Sequence, residues 1–151
     1  MIPLAASGNW FAMAHSASVT SPPDTCLAAT AASGRMLAFR ASTSDIEVRF
    51  SDNSWSLPAD VAGTLVVDVG AYHVALDISA NTNNVVAAVV TPEQLQSMIA
   101  AMGKAKSMTV TAGKAAPATM SLSASKTVTT AFLTCAGISA PGEGGGANPF
   151  K

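Results

Sequence analysis

The sequence predicts an α+β domain: an antiparallel β-sheet, or a small β-sandwich or barrel, with two packed helices at about 91–102 and 125–136. Three observations predict it. Short segments between residues 9 and 90 alternate apolar and polar side chains, which in a strand gives one buried and one wet face. Two later segments carry apolar residues at the i, i+3, i+4, i+7 spacing of a helix with one buried stripe. Between those helices a further hairpin alternates cleanly.

In chain order, 9–16 (NWFAMAHS) reads as the opening strand, with Trp10 anchoring the edge of the core. Ser21-Pro22-Pro23-Asp24 is a turn, since proline denies a ladder its donor. A second strand covers 26–30, and Ser33-Gly34 turns into 35–41. In 45–51, Ile46, Val48 and Phe50 are expected to face inward and Asp45, Glu47 and Arg49 outward. Asp52-Asn53 turns the chain, and Trp55-Ser56-Leu57-Pro58 ends this meander. Segments 63–69 and 72–79 form a hairpin around Gly70-Ala71, in which Asp68 and Asp77 are expected on neighbouring strands, able to face each other. The almost wholly apolar 85–90 reads as a strand that is central or covered on both sides.

The first helix has clear start signals. Thr91 is placed to cap it, Pro92 occupies the first helical position where a missing N–H costs nothing, and Gln94 completes a capping box. Leu95, Met98, Ile99 and Met102 form its stripe, and Gly103 is placed to end it in a left-handed conformation. Met108 and Val110, then Ala118, Met120 and Leu122, give the hairpin its buried face around Ala112-Gly113-Lys114. Ser123 or Ser125 is expected to cap the second helix, whose stripe is Val128, Ala131, Phe132 and Cys135, with Gly137 as its stop.

Within 151 residues these elements suit one domain, 9–137. Residues 1–8 read as the remnant of a leader and a flexible N-terminus: Pro3-Leu4-Ala5-Ala6-Ser7 resembles the end of a signal peptide with a small-x-small cleavage site, although the basic region and most of the apolar region are absent. Residues 138–151 read as a flexible Gly-rich tail. Charged residues make up 11% of the chain, about half of the ~25% usual in globular domains. A net charge of −1 gives no electrostatic argument for nucleic acid or an anionic membrane. No apolar run approaches the ~20 residues of a spanning helix.

Chemistry-bearing residues are few. His15 and His73 belong to no metal-ligand spacing, Cys26 and Cys135 make no CxxC, and no nucleophile motif such as G-x-S-x-G occurs. Gly142 to Gly146 follows no strand and precedes no Lys-Thr, so it is not a phosphate loop. No catalytic residue, metal or cofactor is therefore expected. Cys26 and Cys135 read as a disulfide closing a long loop, or else as two buried thiols. Trp55, Asp68, Tyr72, His73 and Asp77 are the candidate interaction surface.

Trp10 followed by Cys26, Trp55-Ser-Leu57-Pro58 leading into Leu65-Val-Val67-Asp68, and the run Met120-Ser-Leu-Ser-Ala-Ser-Lys-Thr-Val-Thr-Thr-Ala-Phe-Leu-Thr-Cys135 together resemble the invasion-associated locus B family of exported bacterial proteins. The chain departs from that family in having two cysteines only and no Gly-Cys-x-Ala segment. The resemblance implies a periplasmic or surface β-rich domain with flanking helices, in some members linked to host cells and virulence, and transfers no catalytic residue. The expected function is a non-enzymatic exported, periplasmic or secreted, binding protein with a protein partner. The alternatives are an inhibitor or immunity-type protein that blocks an enzyme with a loop such as 52–59, a small hydrolase using Asp68, Asp77 or His73, and a self-assembling homo-oligomer.

Overall fold

The computed structural model describes residues 2–139. Its framework is one sheet of ten antiparallel strands: β1 (Ile2–Ser7), β2 (Trp10–His15), β3 (Thr25–Ala32), β4 (Arg35–Ser42), β5 (Ile46–Asp52), β6 (Ala62–Val69), β7 (Tyr72–Thr82), β8 (Val85–Val90), β9 (Ser107–Ala112) and β10 (Ala118–Ser121). Helices α1 (Pro92–Met102) and α2 (Ser125–Ala136) complete it. The spatial order is β1-β2-β3-β4-β5-β8-β7-β6-β9-β10. The chain meanders through five strands, leaves through the Asn53–Val61 loop, and returns as β6-β7-β8 so that β8 pairs with β5. Helix α1 then carries it back to β9, which pairs with β6.

Alternation sets the faces. Leu37, Phe39, Ala41, Ile46, Val48, Phe50, Leu65, Val67, Val69, Val86, Ala88 and Val90 all point to one side, where they join the apolar stripes of both helices in a single buried cluster. Leu95, Met98, Ile99 and Met102 bring α1 onto it, and Val128, Phe132 and Leu133 bring α2. Met98, Met108 and Met120 are fully buried, so these methionines fill core space.

No ladder joins β1 to β10 among the described residues, so the sheet has two edges. Side chains and α2 bridge them instead. The Trp10 indole N–H donates to the Ser121 carbonyl at 2.8 Å. Trp10 stacks on Phe39 at 6.4 Å, and Phe39 packs at 6.4 Å against Phe132 of α2. Gly8 turns β1 into β2 at φ 60, and a Cβ there would stand 3.3 Å from that of Ala124, so the turn needs glycine both for its backbone and for this approach. The Cys26–Cys135 disulfide then ties the far end of α2 to β3, with Cα atoms 6.1 Å apart.

Several expectations change. Ile2–Ser7, read as flexible, is edge strand β1, because Ala5 and Ser7 pair with Ala12 and Trp10. Gly103 ends α1 at φ −67 rather than left-handed, its N–H bonding back to Ile99. No serine caps α2: Ala124 takes the cap position at φ 63 without a side-chain bond, since the turn is shaped by Gly8 beneath it. Strand β8 is central, as expected, and its outward face is mixed, Ala87 being buried and Val89 63% exposed. Of the tail read as flexible, Ile138 packs on the core and the Ser139 carbonyl accepts from Gln96; residues 140–151 lie outside the described residues. The capping box forms as the sequence predicts, with Gln94 N–H to Thr91 Oγ1 and Thr91 N–H to Gln94 Oε1.

The disulfide closes a loop of 109 residues, for which chain entropy gives ~4–5 kcal/mol. Reducing it should lower the melting temperature by roughly 10–15 °C at ~2–4 °C per kcal/mol for a domain of this size. Calorimetry with and without reductant checks this; an unchanged midpoint would show that the bridge constrains nothing the core does not already hold.

Candidate functional site

The five residues expected to form one surface divide between the two faces of the sheet. In the β6–β7 ladder His73 stands opposite Asp68, and Asp77 opposite Thr64. Asp68 and Asp77 therefore do not face each other. They sit four register positions apart, ~13 Å along the strands, which rules out a shared proton or cation between them. His73, Asp77 and Asp68 point outward. Tyr72 alternates with His73 and turns toward the core, where burial raises its hydroxyl above the usual pKa. Trp55, in the loop before β6, packs edge-on against Phe50 with ring centroids 5.8 Å apart.

Asp68 and His73 do meet: His73 Nδ1 and Asp68 Oδ1 share a hydrogen bond on the exposed face. A nucleophilic triad needs the imidazole between carboxylate and hydroxyl. Here the order is reversed, because the ladder places Thr109 beside Asp68 on the side away from His73. A second pair, His15 Nδ1 to Asp24 Oδ1 at 2.8 Å, closes the loop between β2 and β3, and this bond holds the Asp24 carboxyl below its usual pKa.

The outward face also carries a cleft. Strand β7 is longer than its partner β6 and shared between two neighbours. It pairs with β6 from Tyr72 to Ser79, but with β8 only through Ser79, Ala80 and Thr82, with a register shift between the last two. Beyond that point β8 continues along β5 as far as Val90. The ladder between β7 and β8 stops, leaving an opening of about 470 Å³ lined by Glu47, Asp77, Ser79, Val89, Gln94 and the flanks of Leu76 and Ile78. Glu47 is already neutralised: its Oε1 accepts from Arg40 at 3.2 Å and Arg49 at 2.8 Å. Asp77 has no ion-pair partner among the described residues. Glu47, Ser79, Val89 and Gln94 were not expected from sequence as site residues. Their signal is register, which no one-dimensional pattern carries.

The loop expected to act as an inhibitor's probe is fastened down. Leu57 N–H donates to the Asn83 carbonyl at 2.6 Å, and Trp55 packs inward. Asp52, at its base, accepts from the Ser54 hydroxyl at 2.7 Å and backbone N–H at 2.9 Å, and from Arg35 at 3.1 Å. The two Ser54 bonds, more than the Arg35 charge, hold Asp52 below the usual carboxylate pKa. Among the described residues no group of three His, Cys, Asp or Glu side chains could hold a metal ion.

A depressed folded-state pKa means that the turn's stabilisation is present above the unfolded carboxylate value and lost as pH falls through the folded one. Ser54→Ala should move the Asp52 midpoint up toward its ordinary value in a carboxyl NMR titration, while Asp24 stays put; an unmoved Asp52 would assign the depression to Arg35 instead. Comparison of the chain with protein-family models, with curated proteins and with solved structures finds no match in any of the three.

Proposed function

We propose that this is a non-enzymatic exported protein, periplasmic or secreted, that binds a polypeptide partner at the outward cleft between β7 and β8. The observation that carries the reading is Asp77: an outward carboxylate without an ion-pair partner among the described residues, at the rim of an opening with apolar flanks from Ala75 and Val89. Such a site suits a lysine or arginine side chain whose methylene stem lies on the apolar flanks while its head meets Asp77. The Ser79 hydroxyl and Gln94 amide supply further hydrogen-bonding groups at the same rim.

Export is supported by the intramolecular disulfide, since such bridges persist in oxidising compartments. The resemblance to exported envelope- and host-associated proteins points the same way. A non-enzymatic role is supported by the order Thr109–Asp68–His73, which lacks a nucleophile positioned for the imidazole. The inhibitor alternative has less support, because the loop it would use is bonded to the sheet. Self-assembly has less as well: Ile2, Leu4, Met36 and Val89, the exposed large apolar strand residues, lie on three different strands.

The test is a peptide array probed with the intact, oxidised protein. Bound sequences should be enriched in Lys or Arg beside apolar residues, and binding should weaken with salt. Asp77→Asn should weaken the best peptide about tenfold or more, close to the 1.4 kcal/mol of one charge-assisted contact, whereas Asp45→Asn should not. Retained binding in Asp77→Asn would reject the cleft as the site.

A further inference from the structure

We infer that a second, apolar pocket, under the loop between β5 and β6, binds a small uncharged one-ring aromatic compound carrying a single hydroxyl or carbonyl. The pocket measures about 200 Å³ and shares only Ile78 with the cleft, so the inference does not rest on the proposed function. Its walls are Trp55, Leu57 and Val61 from the loop, Ile78, Val86 and Ala112 from the sheet, and Ala115 from the turn after β9.

The opening exists because small residues meet there. Gly63 and Gly113 line it, and a Cβ built on either would touch nothing within 4 Å. Gly113 is fixed as glycine by its φ of 54, so the chain cannot place a side chain in that space without backbone strain. Collapse from the other side is also resisted. Trp55 is braced against Phe50, and Leu57 is held by its bond to the Asn83 carbonyl. A void whose walls are pinned on both sides persists rather than closes.

Ligand class follows from the lining. It contains no ionisable side chain, so a charged compound would lose its hydration without a partner. Thr64 stands opposite Asp77 and turns its hydroxyl to the outward face, which leaves the Trp55 indole N–H as the polar side-chain group of the lining, a donor for one neutral hydroxyl or carbonyl. The Trp55 ring offers an aromatic surface for stacking or edge contact. An apolar cavity of about 150 Å³ holds benzene, so this volume fits one ring with a substituent, and it falls below the ~300 Å³ at which drug-sized pockets begin.

The experiment titrates the intact, oxidised protein with 4-methylphenol, following methyl NMR shifts. Saturable one-to-one shifts at Leu57, Val61, Ile78 and Val86 are expected, with a dissociation constant of roughly 0.1–1 mM for a ligand of this size. The equally shaped anion 4-methylbenzoate should bind at least tenfold more weakly. Ala112→Leu, which fills the space, should weaken 4-methylphenol at least tenfold, while Ala75→Leu on the outward face should not. Should Ala112→Leu fail to fold, Ala115→Leu at the rim provides the same test. Non-saturating shifts spread over the surface, equal binding of the anion, or full binding to the filled variant would each overturn the inference. Loss of peptide binding in Asp77→Asn with 4-methylphenol binding intact would separate the two sites.

Discussion

A ten-stranded sheet that does not close on itself must deal with two edges and one large apolar face, and α2 answers both requirements. Phe132 extends the Trp10–Phe39 stack from the helix side, and the Cys26–Cys135 bridge fixes the other end of the same helix to β3. The Trp10 indole meanwhile takes up a carbonyl of β10, the opposite edge strand. The first three strands and the last strand are thus held through side chains and one helix rather than by ladder hydrogen bonds.

The edges themselves are poor templates for further pairing. Strand β1 carries Pro3, which has no N–H to offer, and its register shifts between Pro3 and Ala5. Strand β10 is four residues long. These features favour side-chain surfaces over strand addition as the route to any partner. They direct attention to the middle of the sheet, where β7 parts from β8, and to the loop end, where small residues leave a void.

Both openings have the same origin. Strand β7 serves two neighbours over different parts of its length, and the loop from β5 to β6 has to cross the ends of β8 and β7 to reach its own strand. Each departure from a regular ladder leaves side chains that no strand partner covers. One opening has a carboxylate at its rim and the other has no ionisable group, so their ligand chemistries differ although Ile78 belongs to both.

Local pattern by itself determined the strands around Phe39, Val48, Val67 and Val110, the buried stripe of α1 and the Thr91–Gln94 capping box; in α2 it placed Val128 and Phe132 but chose Ala131 and Cys135 where Ser125, Thr129 and Leu133 are buried. Each depends on neighbours within a few residues. Cysteine count and the leader-like Pro3–Ser7 run made Cys26 and Cys135 a candidate pair. Tertiary structure alone decided that β8 pairs with β5, that Asp68 meets His73 and not Asp77, and that Gly8 approaches Ala124 in place of a serine cap. Tyr72 and His73 were read as one surface, yet strand alternation sends neighbouring residues to opposite faces, a consequence the predicted 72–79 strand already carried. For the β8–β5 pairing and the Gly8–Ala124 approach the physical reason is the same: hydrogen-bond register and close backbone approach join residues tens of positions apart, and periodicity along one segment carries no information about which other segment lies beside it.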